Sequence, residues 1–227
     1  FRERFYKTRN SVKLLRELLD EGFFPYVGRL SELAKSLCET CDVTVGHFFM
    51  YPLKAAAAKA NVPYASVTLC HALAPTAYRP PARMPDLGRT LNRLEWEVVQ
   101  WLLDFVLKKT VKTFWDNEGL APFRHVLSGP MTSDILNILA VSGVFCRPQP
   151  DWGSLHKPVG FFNMPDRAEE WSASPVLDRF LAEGEPPVYM TFGSTGQIIP
   201  NESIDLMIRA AGIAGCRAIV QPSIPMR

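Results

Sequence analysis

The sequence predicts an α/β protein built on parallel sheets and arranged in two architectural halves. Three observations carry this. Residues 42–69 read strand, helix, strand, and residues 187–220 read the same way. Such a run is the crossover unit of a parallel sheet, whose strands are buried on both faces. Proline-dense stretches at 70–89 and 149–174 interrupt the periodicity, the first as a long loop and the second as an interdomain linker.

The elements follow in chain order. Val12, Leu15 and Leu19 share one helical face, and Leu30, Leu33, Ala34 and Leu37 repeat the i, i+3, i+4, i+7 spacing in a second helix. A strand at 42–48, an alanine-rich helix at 52–60 and a strand at 63–69 make the first crossover unit. The loop 70–89, with Pro75, Pro80, Pro81 and Pro85, leaves the carboxyl end of a parallel strand, where α/β sheets place their ligands. A long helix follows, with Leu91, Leu94, Val98, Trp101, Leu102 and Phe105 on its apolar face. Lys108, Lys109 and Lys112 near its end suit the helix dipole, and Trp96, Trp101 and Trp115 read as packing residues. A buried strand is expected at 135–141. Past the linker, Ser174 and Pro175 are the N-cap and first residue of a helix that Gly184 ends. A strand at 187–192, a tight turn, a helix at 201–211 and a strand at 217–220 complete the second unit.

Composition narrows the function. The chain has 227 residues, 47% of them hydrophobic and 21% charged, enough to bury a core. With 25 basic and 23 acidic residues the net charge is +2, which argues against nucleic acid as the main partner. Five scattered cysteines fit a reducing, cytoplasmic compartment. Cys38 and Cys41 form a C-x-x-C that lacks the second pair a zinc site needs, so no metal is expected. No apolar run approaches a membrane span, and no signal peptide is visible. The chain opens on Phe1 rather than Met, so a preceding segment is left open.

The strongest local signal for chemistry is residues 188–195, a buried strand running into Gly193, Ser194, Thr195 and Gly196 before a helix. Glycine lets backbone approach a ligand closely, and successive N–H groups with a hydroxyl grip an anion. A diphosphate suits such a turn, although a glycine turn here can also serve packing alone. No Gly-Lys-Ser/Thr follows, so it is not a P-loop. Of the four histidines, His47 ends one parallel strand and His71 follows the next, so both should face one crevice; His125 and His156 read as surface residues.

Several segments together resemble the GT-B glycosyltransferases of the sterol glucosyltransferase and antibiotic glycosyltransferase group. Pro148, Asp151 and Trp152 look like that family's Pro-x-x-Asp-Trp, and residues 159–162 like its Gly-Tyr/Phe-Trp/Phe. Residues 180–189 look like its Phe-Leu-x-x-Gly-x-Pro-Pro-Val-Tyr, and 192–195 like its Phe-Gly-Ser-Met with Thr195 in place of Met. In the first half, 41–45 resembles an acceptor-domain strand, 61–64 its Gly-Ile-Pro-Tyr, Pro75 and Thr76 its acceptor loop, and 91–93 the start of its long helix.

The resemblance implies a GT-B fold. Residues 1–148 would be a partial Rossmann-like acceptor domain, 149–174 the linker, and 175–227 the start of a Rossmann-like donor domain. It implies inverting, metal-independent transfer of a hexose from a nucleotide sugar, UDP-glucose above all, to a lipophilic alcohol such as a sterol, lipid or polyketide. No cofactor beyond the nucleotide sugar is implied, and a lipophilic acceptor is compatible with peripheral membrane contact. Gly193, Ser194 and Thr195 would hold the donor diphosphate. His47, His71 and Thr76 would lie at the acceptor site, with Leu73, Ala74, Tyr78 and Met84 as apolar lining. The family's base-bearing first strand and its His-Gly-Gly-x-Gly-Thr-Thr motif are not seen, so the base is unassigned and the 227-residue chain alone is expected to be inactive. His47 stands near the place where some relatives carry a supporting acid. A non-catalytic binding protein and a GT-B-like nucleotide-sugar epimerase are the alternatives.

Overall fold

The computed structural model describes residues 11–163, 172–192 and 201–221. They fall into two compact units that divide after Asn163. The first contains α1 (Ser11–Gly22), α2 (Val27–Cys38), β1 (Thr44–His47), α3 (Tyr51–Ala60), β2 (Tyr64–Thr68), α4 (Arg89–Asn117), β3 (Leu136–Leu139) and β4 (His156–Pro158). The second contains α5 (Pro175–Ala182), β5 (Val188–Met190), α6 (Asn201–Ala214) and β6 (Ala218–Val220). The protein is therefore mixed α/β with a parallel four-stranded sheet, ordered β1-β2-β3-β4, and a second parallel pair, β5-β6. The expected linker 149–174 is part scaffold: its residues 156–158 form β4 against β3. Three residues are too short a strand to show in sequence periodicity.

Register fixes the two faces of the sheet. Gly46, Ser66, Asn137 and His156 form one row across all four strands, and His47, Val67, Ile138 and Lys157 form the next row, on the opposite face. On the first face a Cβ at position 46 would lie 3.0 Å from the Tyr64 hydroxyl and 3.1 Å from Leu53, so glycine lets α3 and the Tyr64 ring close on the strand. The middle of this face is polar and satisfied. The Ser66 hydroxyl donates to Asn137 Oδ1, which also accepts from the Ser133 N–H at 2.8 Å, and Asn137 Nδ2 donates to the Ser133 carbonyl at 2.9 Å.

The main core joins α1, α3 and α4 through Leu19, Tyr51, Ala55, Leu107, Val111 and Trp115. Glu118, the C-cap of α4, ties three helices together: it accepts from Lys35 at 2.9 Å, Lys59 at 2.8 Å and Ser31 at 3.3 Å. The buried Lys54 of α3 donates to the Gly129 and Thr132 carbonyls, both at 2.7 Å, and pairs with Asp134.

Two helices turn a different face inward from the one the apolar spacing marks. On α2 the buried residues are Val27, Ser31, Ala34 and Cys38, while Leu33 and Leu37 are exposed. Ser31 is inward because it reaches Glu118. On α4 the buried residues are Asn92, Trp96, Gln100, Leu107, Val111 and Trp115. The apolar stripe Leu91, Leu94, Val98, Trp101, Leu102 and Phe105 faces outward, with Trp101 70% and Phe105 83% exposed. Of the three tryptophans read as packing residues, Trp96 and Trp115 pack and Trp101 does not. Lys108 and Lys112 pair with Asp104 and Asp116 one turn away. His125 is buried, not surface: its Nδ1 bonds Asp104 at 2.9 Å, and its Nε2 is 3.2 Å from Glu97 but off line for a hydrogen bond.

In the second unit Ser174 caps α5 as expected, its hydroxyl accepting from the Leu177 N–H at 3.3 Å, and Gly184 follows with a positive φ of 68°. Arg217 donates to the Phe180, Glu183 and Glu185 carbonyls and so fastens the end of α5 to β6. Among the described residues no helix is long and apolar enough to cross a membrane.

Candidate functional site

The loop after β2 is irregular apart from one short turn at His71–Leu73, and it is held at many points. The Thr76 hydroxyl donates to Asp151 Oδ1 at 2.6 Å, and the Ala77 N–H donates to Oδ2 at 2.7 Å. Trp152 Nε1 reaches the Pro75 carbonyl at 3.0 Å. From α4, Asn92 donates to the Ala77 carbonyl and Asp86, and Trp96 Nε1 donates to the Arg79 carbonyl. These bonds satisfy carbonyls that an irregular buried loop would otherwise leave bare. Asp151 gains enough from Thr76, Ala77 and nearby Arg93 to hold its acid below the usual carboxylate range, against the opposing effect of burial.

The pinned loop and the segment after β3 enclose a cleft of about 540 Å³ beyond the carboxyl ends of β2 and β3. His71, Tyr78, Arg79, Arg83, Met84, Asp86, Phe145 and Arg147 contribute to its walls. Burial, and next the neighbouring Arg79, push the His71 imidazole below its ordinary pKa, so it is neutral at pH 7 and can accept a hydrogen bond. Asp86 is already engaged by Asn92 and the Gly88 N–H, which lower its pKa. Among the described residues Arg79, Arg83 and Arg147 form no ion pair. Arg83 sits at a φ of +70°, a conformation that costs a non-glycine residue energy and recurs at ligand sites. A neutral imidazole beside three free guanidiniums suits a ligand with both a hydroxyl and an anionic group.

The expected site residues do not gather in one place. His71, Tyr78 and Met84 line the cleft, but Leu73 lines a different cavity and Ala74 is packed in a core with Leu139 and Trp152. His47 stacks beside Phe48 and Phe49 and accepts from the Phe49 N–H at 3.4 Å; it lines none of these cavities, so it does not share the crevice of His71. Adjacent strands alone do not bring the two together, because the chain continues two residues beyond β2 before His71, whereas His47 is the last residue of β1. Thr76 is buried with its hydroxyl committed to Asp151, so it positions the loop. Gly193, Ser194 and Thr195 lie outside the described residues. The arginines were missed, although three of them beside proline-dense stretches are a readable sign of an anion site.

Among the described residues no three His, Cys, Asp or Glu side chains gather closely enough to hold a metal ion. No protein-family model matches the chain, and no curated protein matches it.

Proposed function

We propose that this protein takes part in hexosyl transfer from a nucleotide diphosphate sugar, UDP-glucose first, to the hydroxyl of a lipophilic alcohol, within a GT-B arrangement. The observation that supports it most is the docking of two segments, 75 residues apart, that resemble the same family. The loop residues Pro75 and Thr76 are bonded to Trp152 and Asp151 of the Pro-x-x-Asp-Trp segment. That contact anchors the loop next to the cleft, whose lining takes in Tyr78 and Gln149 on either side of the contact, beyond the carboxyl ends of a parallel sheet where this architecture binds its ligands.

In this reading the acceptor lies against Tyr78, Met84 and Phe145, with its hydroxyl near the neutral His71. The hydroxyl passes its proton to the neutral His71 imidazole as its oxygen attacks the anomeric carbon, the bond to the diphosphate breaks, and the leaving charge is met by fixed donors. Gly193, Ser194 and Thr195, which lie outside the described residues, are the candidates that the family resemblance gives for these donors. A second reading, a binding protein for an anionic small molecule, is favoured by the unpaired Arg79, Arg83 and Arg147.

Calorimetric titration separates the readings. We expect UDP-glucose and UDP to bind the chain, with a Kd on the order of 1 mM, and glucose alone not to compete. Gly193→Val and Ser194→Ala should each weaken the nucleotides, while Arg147→Gln should not. Loss in Arg147→Gln with no effect at 193 and 194 supports the binding protein. Nucleotide binding that stays unchanged in both Gly193→Val and Ser194→Ala overturns the assignment of the donor site, and with it the transferase reading.

A further inference from the structure

The cleft beyond β2 and β3 carries more charge than a neutral alcohol would use. Arg79, Arg83 and Arg147 line it together with one carboxylate, that of Asp86. Arg79 is near both walls: its charge adds to burial in lowering the His71 pKa and opposes burial, which raises the Cys146 thiol. Arg83 and Arg147 are exposed. Among the described residues none of the three arginines pairs with a carboxylate or stacks on a ring. By contrast, Lys35, Lys54, Lys59, Lys108, Lys112 and Arg124 of the same unit each have a carboxylate partner. Asp86 is engaged by Asn92 and the Gly88 N–H, so it offsets one charge without pairing. His71 is neutral, which leaves an excess of two positive charges in the cleft. Low-dielectric walls focus such a field on whatever enters. The same cleft also presents apolar surface: Val144 is 84% and Phe145 64% exposed, and Pro80, Pro81 and Met84 line it with them.

We infer that this cleft binds an anionic amphiphile: a phosphate monoester with an apolar body and a free hydroxyl. Each part answers to a feature of the walls. A phosphomonoester carries about −1.5 to −2 charges at pH 7, which matches the excess, whereas a carboxylate leaves one cation over. The planar fork of arginine donates two parallel bonds to phosphate oxygens, and such charge-assisted bonds are about twice as strong as neutral ones. The apolar body covers Val144 and Phe145, which otherwise stand in water. The hydroxyl meets the neutral His71. The volume, about 540 Å³, falls in the usual range for small-molecule sites, roughly 300–1,000 Å³. The binding stands on the cleft alone; that this molecule is the acceptor rests on the transferase reading. It then displaces an uncharged sterol as the preferred alcohol, because a neutral ligand would cover the arginines and restore none of the hydration they lose.

The test is calorimetric titration of the 227-residue chain with octyl phosphate, kept below its micelle concentration. Octanol, octanoate and inorganic phosphate are the comparison arms. We expect octyl phosphate to bind saturably and roughly tenfold or more tighter than each of these. Arg83→Gln and Arg147→Gln, both at exposed positions, should each weaken it about fivefold to tenfold, the loss of one charge-assisted bond. Lys109→Gln, on α4 and outside the cleft, should leave it unchanged. Saturating UDP-glucose should leave the octyl phosphate affinity within about twofold. Any comparison arm binding as tightly as octyl phosphate, wild-type affinity in both arginine variants, or equal weakening by Lys109→Gln would overturn the proposal. So would displacement by UDP-glucose, which would assign the arginines to the donor diphosphate. The transferase reading is decided separately, by nucleotide binding in Gly193→Val and Ser194→Ala. Octyl phosphate should bind both of those variants as it binds the wild type, and weakening there would overturn the proposal too.

Discussion

The two faces of α4 have nearly opposite chemistry from what their positions suggest. The outward face carries Leu91, Leu94, Val98, Trp101 and Phe105 at alternating spacings of three and four. The inward face carries Asn92 and Gln100 among Trp96, Leu107, Val111 and Trp115. The difference lies in what each half of the inward face meets. The second half packs on the apolar core of α1 and α3, and it is apolar. The first half packs on the loop after β2, whose carbonyls need donors, and there Asn92 and Trp96 supply them. A buried helix face is therefore as polar as the surface it covers.

The largest expected effect tests the apolar half. Leu107 is 1% exposed, and Leu107→Ala should cost about 3 kcal/mol in denaturant unfolding. A cost below about 1 kcal/mol would mean that α4 does not anchor the core. Next comes the polar half. Asn92 donates to the Ala77 carbonyl and Asp86 and accepts from the Leu87 N–H. Asn92→Ala should cost about 2 kcal/mol and raise the Asp86 pKa, whose lowering owes most to Asn92. NMR titration of the Asp86 carboxyl reads this directly, and an unchanged value breaks the argument that α4 shapes the cleft.

Much of this was legible in the sequence, for reasons visible in particular residues. The first crossover unit was readable because Val43, Val45 and Val67 are β-branched and Ala55, Ala56 and Ala57 are not. The cap at Ser174 was readable because capping is local. The inward face of α4 was hidden, since Asn92 and Trp96 make sense only beside carbonyls 15 and 17 residues away. His125 looked like a surface residue because its partner, Asp104, is 21 residues earlier. The cleft was partly readable: proline marks the loop, yet nothing local says that Asp151 grips Thr76.

A third expectation concerns pH at the far end of the same helix. Hydrogen bonds from Lys35 and then Lys59 hold the Glu118 carboxyl below the usual carboxylate range. A group lowered on folding stabilises the native state fully above its unfolded pKa. That stability is lost as pH falls through the folded value. The protein should therefore weaken from about pH 4.5 downward. Glu118→Gln should flatten that part of the profile and change little at pH 2, where the wild-type carboxyl is protonated. An identical pH slope in the variant would show that Glu118 does not link α2 and α3 to α4.

The smallest effect sharpens the comparison most. Trp101 and Trp96 lie on one helix with opposite exposure, 70% against 4%. Trp96 buries its ring and satisfies its Nε1–H on the Arg79 carbonyl, so Trp96→Ala removes both packing and a bond. Trp101 and Phe105 keep most of their surface in water, so replacing both with Gln loses little burial and no bond. Helix propensity changes only slightly, because Gln is a good helix former. The double variant should then lie within about 0.5 kcal/mol of the wild type, the usual range for surface changes. It should also be the more soluble, since it removes two large apolar groups from an outward stripe. Destabilisation above about 1 kcal/mol would show that this stripe is packed in solution, and that α4 buries two faces rather than one.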